Sequence, residues 1–433
     1  MSENMNIVIL GAGLTGLSAA YHGGGTIYEK EKEVGGTCRS PKIKGYTFDL
    51  GIHVLHTKND YVLNLLIKNL NAPLLVQRRR AWIYSYNTLT RYPFQANTYG
   101  LPIKVVKDCL LGFIDVYNKD SINYDNYEDW IYATFGKGIA EHFLIPYSEK
   151  FWTIPPKEMT ADWPDSRIPR PELEEVLEGA LSDQKKGFGP NWTFRYPKKN
   201  GICTIPDAFY SINSEIFLNK EAIGVDIQKK EITFSDGFKK RYDKLISTTP
   251  LPELVKIIHD LPGEVVNASQ GLRYNSIFCV NLGIKNPNLN DAHWIYYPQG
   301  DYSFFRISFP KNFLENSVPE GKSSITSEIS YSQFKELDKG TIVDRVIKDL
   351  IKAKVLKRND KIELIDTRDI KYGYIIYDHN RSKNSSIIKK FLMDNNIYTA
   401  GRYGSWEYYW MDDSILDGKR AIDHIKEQNR IKG

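Results

Sequence analysis

The hydrophobic pattern at the start of the chain predicts a strand, a tight turn and a helix in immediate succession. Ile7–Leu10 is a short apolar run typical of a buried strand, and Leu14–Tyr21 carries small and apolar residues at helical spacing. Gly23–Gly25 ends this helix, and a second strand is predicted at Thr26–Glu29. The first 30 residues therefore predict one βαβ unit.

Further along the chain, the pattern first favours helices and then alternating strands. Residues 98–192 are predicted to be mostly helical, with helices at Tyr127–Phe135, Ile139–Pro146 and Pro171–Leu181. Gly179–Pro190 is polar and rich in glycine, which predicts a mobile loop between a helix and a strand. The alternating, aromatic-rich stretch from about 273 to 330 predicts an antiparallel sheet with strands at Ser276–Leu282, Trp294–Tyr297, Ser303–Ser308 and Ser324–Ser330.

Short elements complete this outline. Strands are predicted at Val225–Gln228, Ile232–Phe234, Asp243–Thr249 and Asn396–Ala400. A helix is predicted at Ser414–Lys426, because its apolar residues fall on one helical stripe.

The composition fits a globular protein of two or three domains and excludes fibrous and disordered classes. The chain has 433 residues, of which 41% are hydrophobic and 26% charged. Lysine and arginine number 58 against 53 acidic residues, so the net charge is +5. This small, dispersed excess does not indicate a nucleic-acid partner or a membrane surface, but it suits an anionic small ligand. No apolar run approaches the roughly 18 residues of a membrane span.

Cysteine usage predicts a cytoplasmic protein without a disulfide framework or a metal site. Cys38, Cys109, Cys203 and Cys279 lie far apart and form no CxxC pair. No signal peptide is evident before the first strand. The sequence leaves the oligomeric state open.

A glycine-rich fingerprint sits between the first strand and the first helix. Gly11 permits a tight turn, Gly13 lets the backbone approach a pyrophosphate, and Gly16 lets helix and strand pack closely. Glu29, at the end of the second strand, is placed to hold a ribose hydroxyl. This pattern predicts a dinucleotide site; the alternative is a glycine-rich turn with no ligand. Gly35-Gly36 and Arg39 extend it in a way that resembles flavoproteins of the amine oxidase and glutathione reductase kind, which favours FAD over NAD.

Later segments resemble the UDP-galactopyranose mutase family, especially its eukaryotic-type branch, over nearly the whole chain. The most specific are Trp294-Ile295-Tyr296-Tyr297-Pro298 with Phe305-Arg306, and Gly401-Arg402-Tyr403-Gly404-Ser405-Trp406 with Tyr408. The others are Asp49–His53 beside the flavin, Tyr92–Gln95 as a uracil platform, Pro146–Trp152, Trp163–Arg167, and Gly189–Arg195 at the end of a mobile flap.

The resemblance implies an isomerase that interconverts UDP-galactopyranose and UDP-galactofuranose for cell-surface glycan biosynthesis, with no net redox change. In the family scheme FAD is active when reduced, with NADH or NADPH as reductant, and its N5 forms a covalent adduct with the sugar. The implied catalytic residues are His53, Arg306 and Arg402. The implied cofactor residues are Gly11, Gly13, Gly16, Glu29, Gly36, Arg39, Gly51, Gly401 and Ser414. The implied substrate residues are Tyr92, Phe94, Gln95, Tyr147, Trp152, Arg167, Asn191, Tyr296, Tyr374 and Tyr408.

The residue chemistry agrees with this scheme but leaves alternatives open. Arginine forks match phosphate oxygens bidentately, and Arg306 and Arg402 are the candidates for a diphosphate clamp. Taken singly, however, a buried arginine is often part of an inter-domain ion pair, Tyr-Pro-Phe is often strand core, and His53 is often a packing histidine. The rival functions are a flavin oxidase or desaturase, a mutase for another nucleotide sugar, and a non-catalytic nucleotide-binding protein.

Four positions depart from the family pattern. Ile52 replaces a glycine beside the flavin, Ser148 replaces an asparagine, and Lys58 stands near an expected histidine. Asp412 falls where an asparagine would face phosphate, in a segment about two residues shorter. These changes leave the sugar, and less strongly the nucleotide, open.

The predicted fold class is α/β, with three parts. A Rossmann-type FAD-binding domain is expected at 1–75 with 195–260 and 385–433. A helical domain with the mobile flap is expected at 98–192, and an antiparallel-sheet substrate domain at 261–384 with 76–97.

Overall fold

The computed structural model describes residues 5–117, 119, 124–165, 167–184, 187–188, 192–211 and 215–432. Its strands are β1 (Ile7–Leu10), β2 (Thr26–Tyr28), β3 (Lys42–Ile43), β4 (Tyr46–Thr47), β5 (Leu74–Arg78), β6 (Ala81–Ser85), β7 (Thr88–Arg91), β8 (Thr193–Pro197), β9 (Ile216–Phe217), β10 (Ala222–Asp226), β11 (Glu231–Phe234), β12 (Lys239–Arg241), β13 (Lys244–Ser247), β14 (Tyr274–Ile284), β15 (Trp294–Tyr296), β16 (Arg306–Ser308), β17 (Ser323–Tyr331), β18 (Ile362–Ile375) and β19 (Ile397–Thr399). Its α-helices are α1 (Leu14–Gly23), α2 (Asp60–Asn64), α3 (Ile103–Tyr117), α4 (Tyr127–Ile139), α5 (Ile145–Trp152), α6 (Leu173–Leu181), α7 (Thr204–Tyr210), α8 (Leu251–Ile257), α9 (Gly263–Gln270), α10 (Ile342–Lys352), α11 (Arg381–Asp394), α12 (Gly401–Gly404) and α13 (Met411–Lys432).

A parallel sheet with the order β19-β13-β1-β2-β9 forms the first layer. The predicted βαβ unit is confirmed, with β1 in the middle of the sheet and fully apolar. Helix α13 packs along α1, where Gly418 lies against the backbone of Thr15 and Ala19. A side chain at Gly418 would hold the helices apart. This is the Rossmann-type arrangement that the sequence predicts.

A second sheet has the order β18-β14-β17-β16-β15-β6-β7. Its neighbours are antiparallel, as predicted, except that β6 pairs in parallel with β15. The alternation from about 273 to 330 could not reveal this pair, because β6 comes from a distant part of the chain. The strand predicted at Ser303–Ser308 is shorter than expected and is restricted to Arg306–Ser308.

Helices α3 to α6 pack together, as the pattern over 98–192 predicts. The loop predicted at Gly179–Pro190 is wrong at its start, since Gly179–Leu181 form the last turn of α6. A Cβ on Gly179 would overlap the carbonyl oxygen of Ala96. Because glycine has no Cβ, the last turn of α6 can pack directly against the backbone at Ala96. Residues 185, 186, 189 and 190 of the predicted loop lie outside the described residues.

Three findings bear on what the chain contains. All four cysteines lie in the described part of the chain and are unpaired. In the same part, no cluster of three or more His, Cys, Asp or Glu side chains is placed to hold a metal ion. No helix found there has the length and apolarity needed to cross a membrane.

Candidate functional site

The glycine fingerprint forms an open cradle at the N-terminus of α1. Gly11 has φ +99°, and a Cβ on Gly16 would overlap the carbonyl oxygen of Gly11, so both positions require glycine. At Gly13, by contrast, a Cβ would meet no protein atom within 4 Å. The free space therefore lies above Gly13, next to the unpaired N–H groups and the positive dipole end of α1. This is the fit that a bound pyrophosphate requires.

The acidic residue of the fingerprint is fixed against this cradle. The buried carboxylate of Glu29 accepts hydrogen bonds from the backbone N–H of Ala12 at 2.7 Å and of Glu31 at 2.9 Å. Gly36 lies close to Gly13, and Arg39 donates from Nε to its carbonyl oxygen at 2.8 Å. Six predicted cofactor residues are thus brought together at one end of α1.

Two further predicted cofactor residues lie on the other side of the same helix. Gly401 has φ +84°, and its N–H donates to Oδ2 of Asp417 at 2.7 Å. The carbonyl oxygen of Ser414 accepts from Oγ1 of Thr15 at 2.9 Å, and the Ser414 hydroxyl donates to the carbonyl of Trp410. The carboxyl ends of β1 and β19 therefore open towards one space, which is where α/β sheets bind ligands.

The loop after Asp49 connects this cradle to the second sheet. Gly51 has φ +75°, and a Cβ there would lie 2.9 Å from Oε1 of Glu328 on β17. Asp49 is buried and accepts from Ser40 Oγ at 2.6 Å and Tyr196 OH at 2.7 Å; burial raises the pKa of its carboxyl to about 6. Burial lowers the pKa of His53 to about 4, and two nearby guanidinium groups act in the same direction. His53 is therefore neutral at pH 7.

Those two guanidinium groups belong to Arg306 and Arg402, and they differ in how they are paired. Arg306 faces Glu328 across β16 and β17 and forms a bidentate ion pair, with Nε–Oε2 at 2.6 Å and Nη2–Oε1 at 2.8 Å. Arg306 thus forms an ion pair, although within one sheet and not between domains. Arg402 has no carboxylate partner in the described part of the chain, and its buried Nε has no hydrogen-bond partner there. Its Nη atoms donate to two backbone carbonyls at 3.3 Å.

Half-buried tyrosines form a wall around these arginines. Arg402 lies over Tyr374 at 4.7 Å and over Tyr408 at 5.1 Å, measured to the ring centroids. Tyr296 contacts Tyr92 at 5.3 Å and Tyr147 at 5.5 Å between ring centroids. Burial raises the pKa values of Tyr92 and Tyr408 to about 12, so their hydroxyls stay protonated and can donate hydrogen bonds.

Other predicted substrate residues have little free surface in this structure. Phe94 is fully buried and stacks on Phe143 at 4.8 Å between ring centroids. Gln95 is buried and donates from Nε2 to the carbonyl of Pro169 at 3.0 Å, and Trp152 is also buried. Their part in substrate binding stays a prediction. Asn191 lies outside the described residues.

The guanidinium of Arg167 lies against the tyrosine wall, where it already donates hydrogen bonds to other residues of the chain. Its Nη2 donates to the carbonyl of Tyr408 at 2.9 Å and to Oδ2 of Asp413 at 3.2 Å. Its guanidinium lies 4.0 Å from the ring centroid of Trp410 and 5.4 Å from that of Tyr408.

Sequence reasoning missed the carboxylates of this site. Glu328 and Asp417 sit in ordinary strand and helix patterns, so nothing in the local sequence marks them. Asp413 carried a weak signal, because it lies in the segment that departs from the family pattern. All three act by holding a predicted site residue, which only the folded chain brings next to them.

Comparison with known proteins now defines the class. Residues 168–425 match the model of the flavin-containing amine oxidoreductases, and residues 9–68 match that of NAD(P)-binding Rossmann-like domains. The first match covers more than half of the chain and the second covers the cradle around Gly13. The chain is thus an FAD flavoprotein of the amine oxidoreductase class.

Comparison with individual proteins identifies the family within this class. A crystal structure of reduced UDP-galactopyranose mutase is 30% identical, with a TM-score of 0.92 over 98% of this chain and 96% of that chain. Wild-type putrescine oxidase bound to putrescine is 13% identical, with a TM-score of 0.68 over 98% and 99% of the two chains, and so shows the fold alone. An uncharacterized protein in the nifH2 3' region of Methanothermococcus thermolithotrophicus is 39% identical over 69 residues, which are 15% of this chain and 68% of that protein. The chain belongs to the UDP-galactopyranose mutase family.

Proposed function

We propose that the chain is a flavin-dependent nucleotide-sugar mutase that interconverts UDP-galactopyranose and UDP-galactofuranose without net redox change. The observation that carries the proposal is the position of Arg402. Its guanidinium has no carboxylate partner among the described residues, and it lies between tyrosine rings close to the Gly51–His53 loop. A group with this charge and these surroundings suits a leaving diphosphate.

The chain's own residues divide the work in this proposal. Gly13 and the Gly51 loop would hold reduced FAD, which would supply the nucleophile for the anomeric carbon when bound. Arg402 and Arg306 stabilise the charge that develops on the diphosphate, and neutral His53 adds no competing charge. Holding the released UDP close makes its return effectively unimolecular.

The tyrosines complete the binding site. The phenol groups of Tyr296, Tyr374 and Tyr408 donate hydrogen bonds to phosphate oxygens. Tyr92 offers a flat face to the uracil. NADH or NADPH would supply the electrons that reduce the flavin before the first turnover. We place the reaction in the cytoplasm, as a source of furanose sugar for cell-surface glycans.

One assay separates this function from an oxidase. Reduced protein is incubated with UDP-galactofuranose under nitrogen, and the pyranose is measured by chromatography. Turnover that requires reduced flavin but no stoichiometric NADPH supports the mutase. Reduction of the oxidised flavin by substrate, without sugar isomerisation, would establish an oxidase instead.

A variant pair ties the activity to the proposed clamp. Arg402→Lys keeps the charge but loses the fork, so turnover should fall roughly 100-fold while the flavin content is unchanged. Arg368→Lys is the matched control, because Arg368 lies on β18, is about one-third exposed and is paired with Asp366. Equal activity in the two variants would remove Arg402 from the clamp.

A further inference from the structure

Arg167 and Arg402 lie against the same ring, yet only Arg402 is without a carboxylate partner in the described residues. The centroid of Tyr408 is 5.4 Å from the Arg167 guanidinium and 5.1 Å from that of Arg402. Arg167 is paired with Asp413, in the first turn of α13. A carboxylate of the chain thus accepts a hydrogen bond from Arg167 that a phosphate oxygen could also accept.

The Arg167–Asp413 ion pair is more exposed to solvent than the Arg306–Glu328 pair. Its side chains are 20% and 34% exposed, whereas those of Arg306 and Glu328 are 12% and 4% exposed. The first pair is therefore more open to an incoming anion than the second, whose carboxylate is almost fully buried. The geometry is also less favourable, with a single contact at 3.2 Å against two at 2.6 and 2.8 Å.

Neither group would be left without a partner after the exchange. Oδ2 of Asp413 also accepts from the backbone N–H of Trp410 at 2.9 Å, and this bond does not involve Arg167. The guanidinium of Arg167 lies over the Trp410 ring, which covers its face but not the N–H edge that donates hydrogen bonds in the plane of the group.

We propose that Asp413 is a positioning residue that holds Arg167 until a nucleotide diphosphate replaces it as the partner of this guanidinium. The inference rests on the proposed function, because it takes UDP as the incoming anion. Asp413 then competes with the ligand, and it sets the affinity for the diphosphate without touching the reacting sugar.

The test compares two single-charge removals in flavin-loaded protein. Asp413→Asn keeps an acceptor for the Trp410 N–H but weakens the hold on Arg167. Asp394→Asn removes the same charge from an exposed residue at the end of α11, which forms no ion pair in the described residues, and so measures the effect of lowering the negative charge alone. By calorimetry, Asp413→Asn should bind UDP roughly 3- to 10-fold more tightly than Asp394→Asn. KM for the UDP-sugar should fall by a similar factor while kcat changes less than about twofold, because the gain is uniform binding.

Repeating the comparison in protein that carries Arg167→Ala shows whether the change in UDP affinity depends on Arg167. With Arg167→Ala, Asp413→Asn and Asp394→Asn should change the affinity for UDP equally. An advantage of Asp413→Asn that persists without Arg167, or its absence in the native background, would overturn the inference. Asp413→Ser, whose hydroxyl can also accept from the Trp410 N–H, provides a second variant if the first does not fold.

Failure of the proposed function is distinguishable from failure of this inference. If flavin-loaded wild-type protein does not bind UDP at millimolar concentration, both fall together. If it binds UDP but the two asparagine variants are alike, only the role of Asp413 is wrong.

Discussion

Two glycines of the cradle, three residues apart, should respond to alanine in opposite ways. Gly13 has φ −72° and ψ 177°, an extended conformation that alanine adopts freely, and its Cβ would meet no protein atom within 4 Å. At Gly16 the Cβ would overlap the carbonyl oxygen of Gly11 and lie 3.1 Å from its carbonyl carbon. The first substitution therefore affects only a ligand, whereas the second affects the fold.

The expected magnitudes follow from these contacts. Gly13→Ala should leave the apoprotein unchanged or stabilise it by about 0.4–1 kcal/mol, because alanine restricts the unfolded chain. Its methyl group would enter the space for the pyrophosphate, and loss of one hydrogen bond to a charged group costs about 1.5–3 kcal/mol. This predicts a dissociation constant for FAD that is roughly 10- to 150-fold higher. Gly16→Ala must separate α1 from β1 and should cost about 3 kcal/mol of stability, since the overlap is with backbone.

The assay measures flavin affinity and apoprotein stability separately. Apoprotein is titrated with FAD for the dissociation constant, and its thermal midpoint is recorded without flavin. Gly13→Ala should melt no lower than wild type but bind FAD weakly, while Gly16→Ala should melt lower. If Gly13→Ala binds FAD with wild-type affinity, the pyrophosphate does not lie over Gly13. If the Gly13→Ala apoprotein melts at a lower temperature than wild type, the space above Gly13 is not open.

Two further predictions concern the charges of the site. Glu328→Gln should lower the free energy of unfolding by about 2–4 kcal/mol, because it leaves the largely buried Arg306 without a charged partner, and UDP should restore part of the thermal midpoint. Asp301→Asn, in an exposed pair with Lys352, should cost about 0–1 kcal/mol, and equal losses would contradict the burial argument. The second concerns acid: burial lowers the pKa of His53 to about 4 and that of His293 to about 3. Between pH 6.5 and 4 these two side chains bind more protons in the unfolded chain, so their contribution to stability falls as pH falls. Urea midpoints measured across this window should decline less in His293→Gln than in wild type, and identical slopes would contradict the assignment. Asp49 acts oppositely, because its stabilising contribution is lost as pH rises through about 6.

The cradle could be predicted from the sequence because it is formed by residues that are close together in the chain. The roles of Gly11, Gly13 and Gly16 depend on one strand, one turn and one helix, all within the same 20 residues. The loop predicted from composition was wrong at Gly179–Leu181, because these residues of a polar, glycine-rich segment form the end of a helix. There the deciding contact is with Ala96, which no local pattern contains.

The charge pairing of the site could not be predicted, because it depends on strand register. Arg306 and Glu328 meet only because β16 and β17 are antiparallel in the register that sets these two residues opposite each other. A shift of one residue would turn one side chain to the other face and break the pair. The family resemblance supplied Arg306 but not its partner.

This pairing bears on the choice between a mutase and an amine oxidase more directly than the fold does. The fold is shared with putrescine oxidase and therefore does not discriminate. A carboxylate with a free oxygen would favour a cationic amine, but both oxygens of Glu328 are engaged by Arg306 at 2.6 and 2.8 Å. The guanidinium of Arg402, which has no carboxylate partner among the described residues, repels an amine and attracts a diphosphate. The arrangement of charges thus supports a nucleotide-sugar substrate even where individual residues depart from the family pattern.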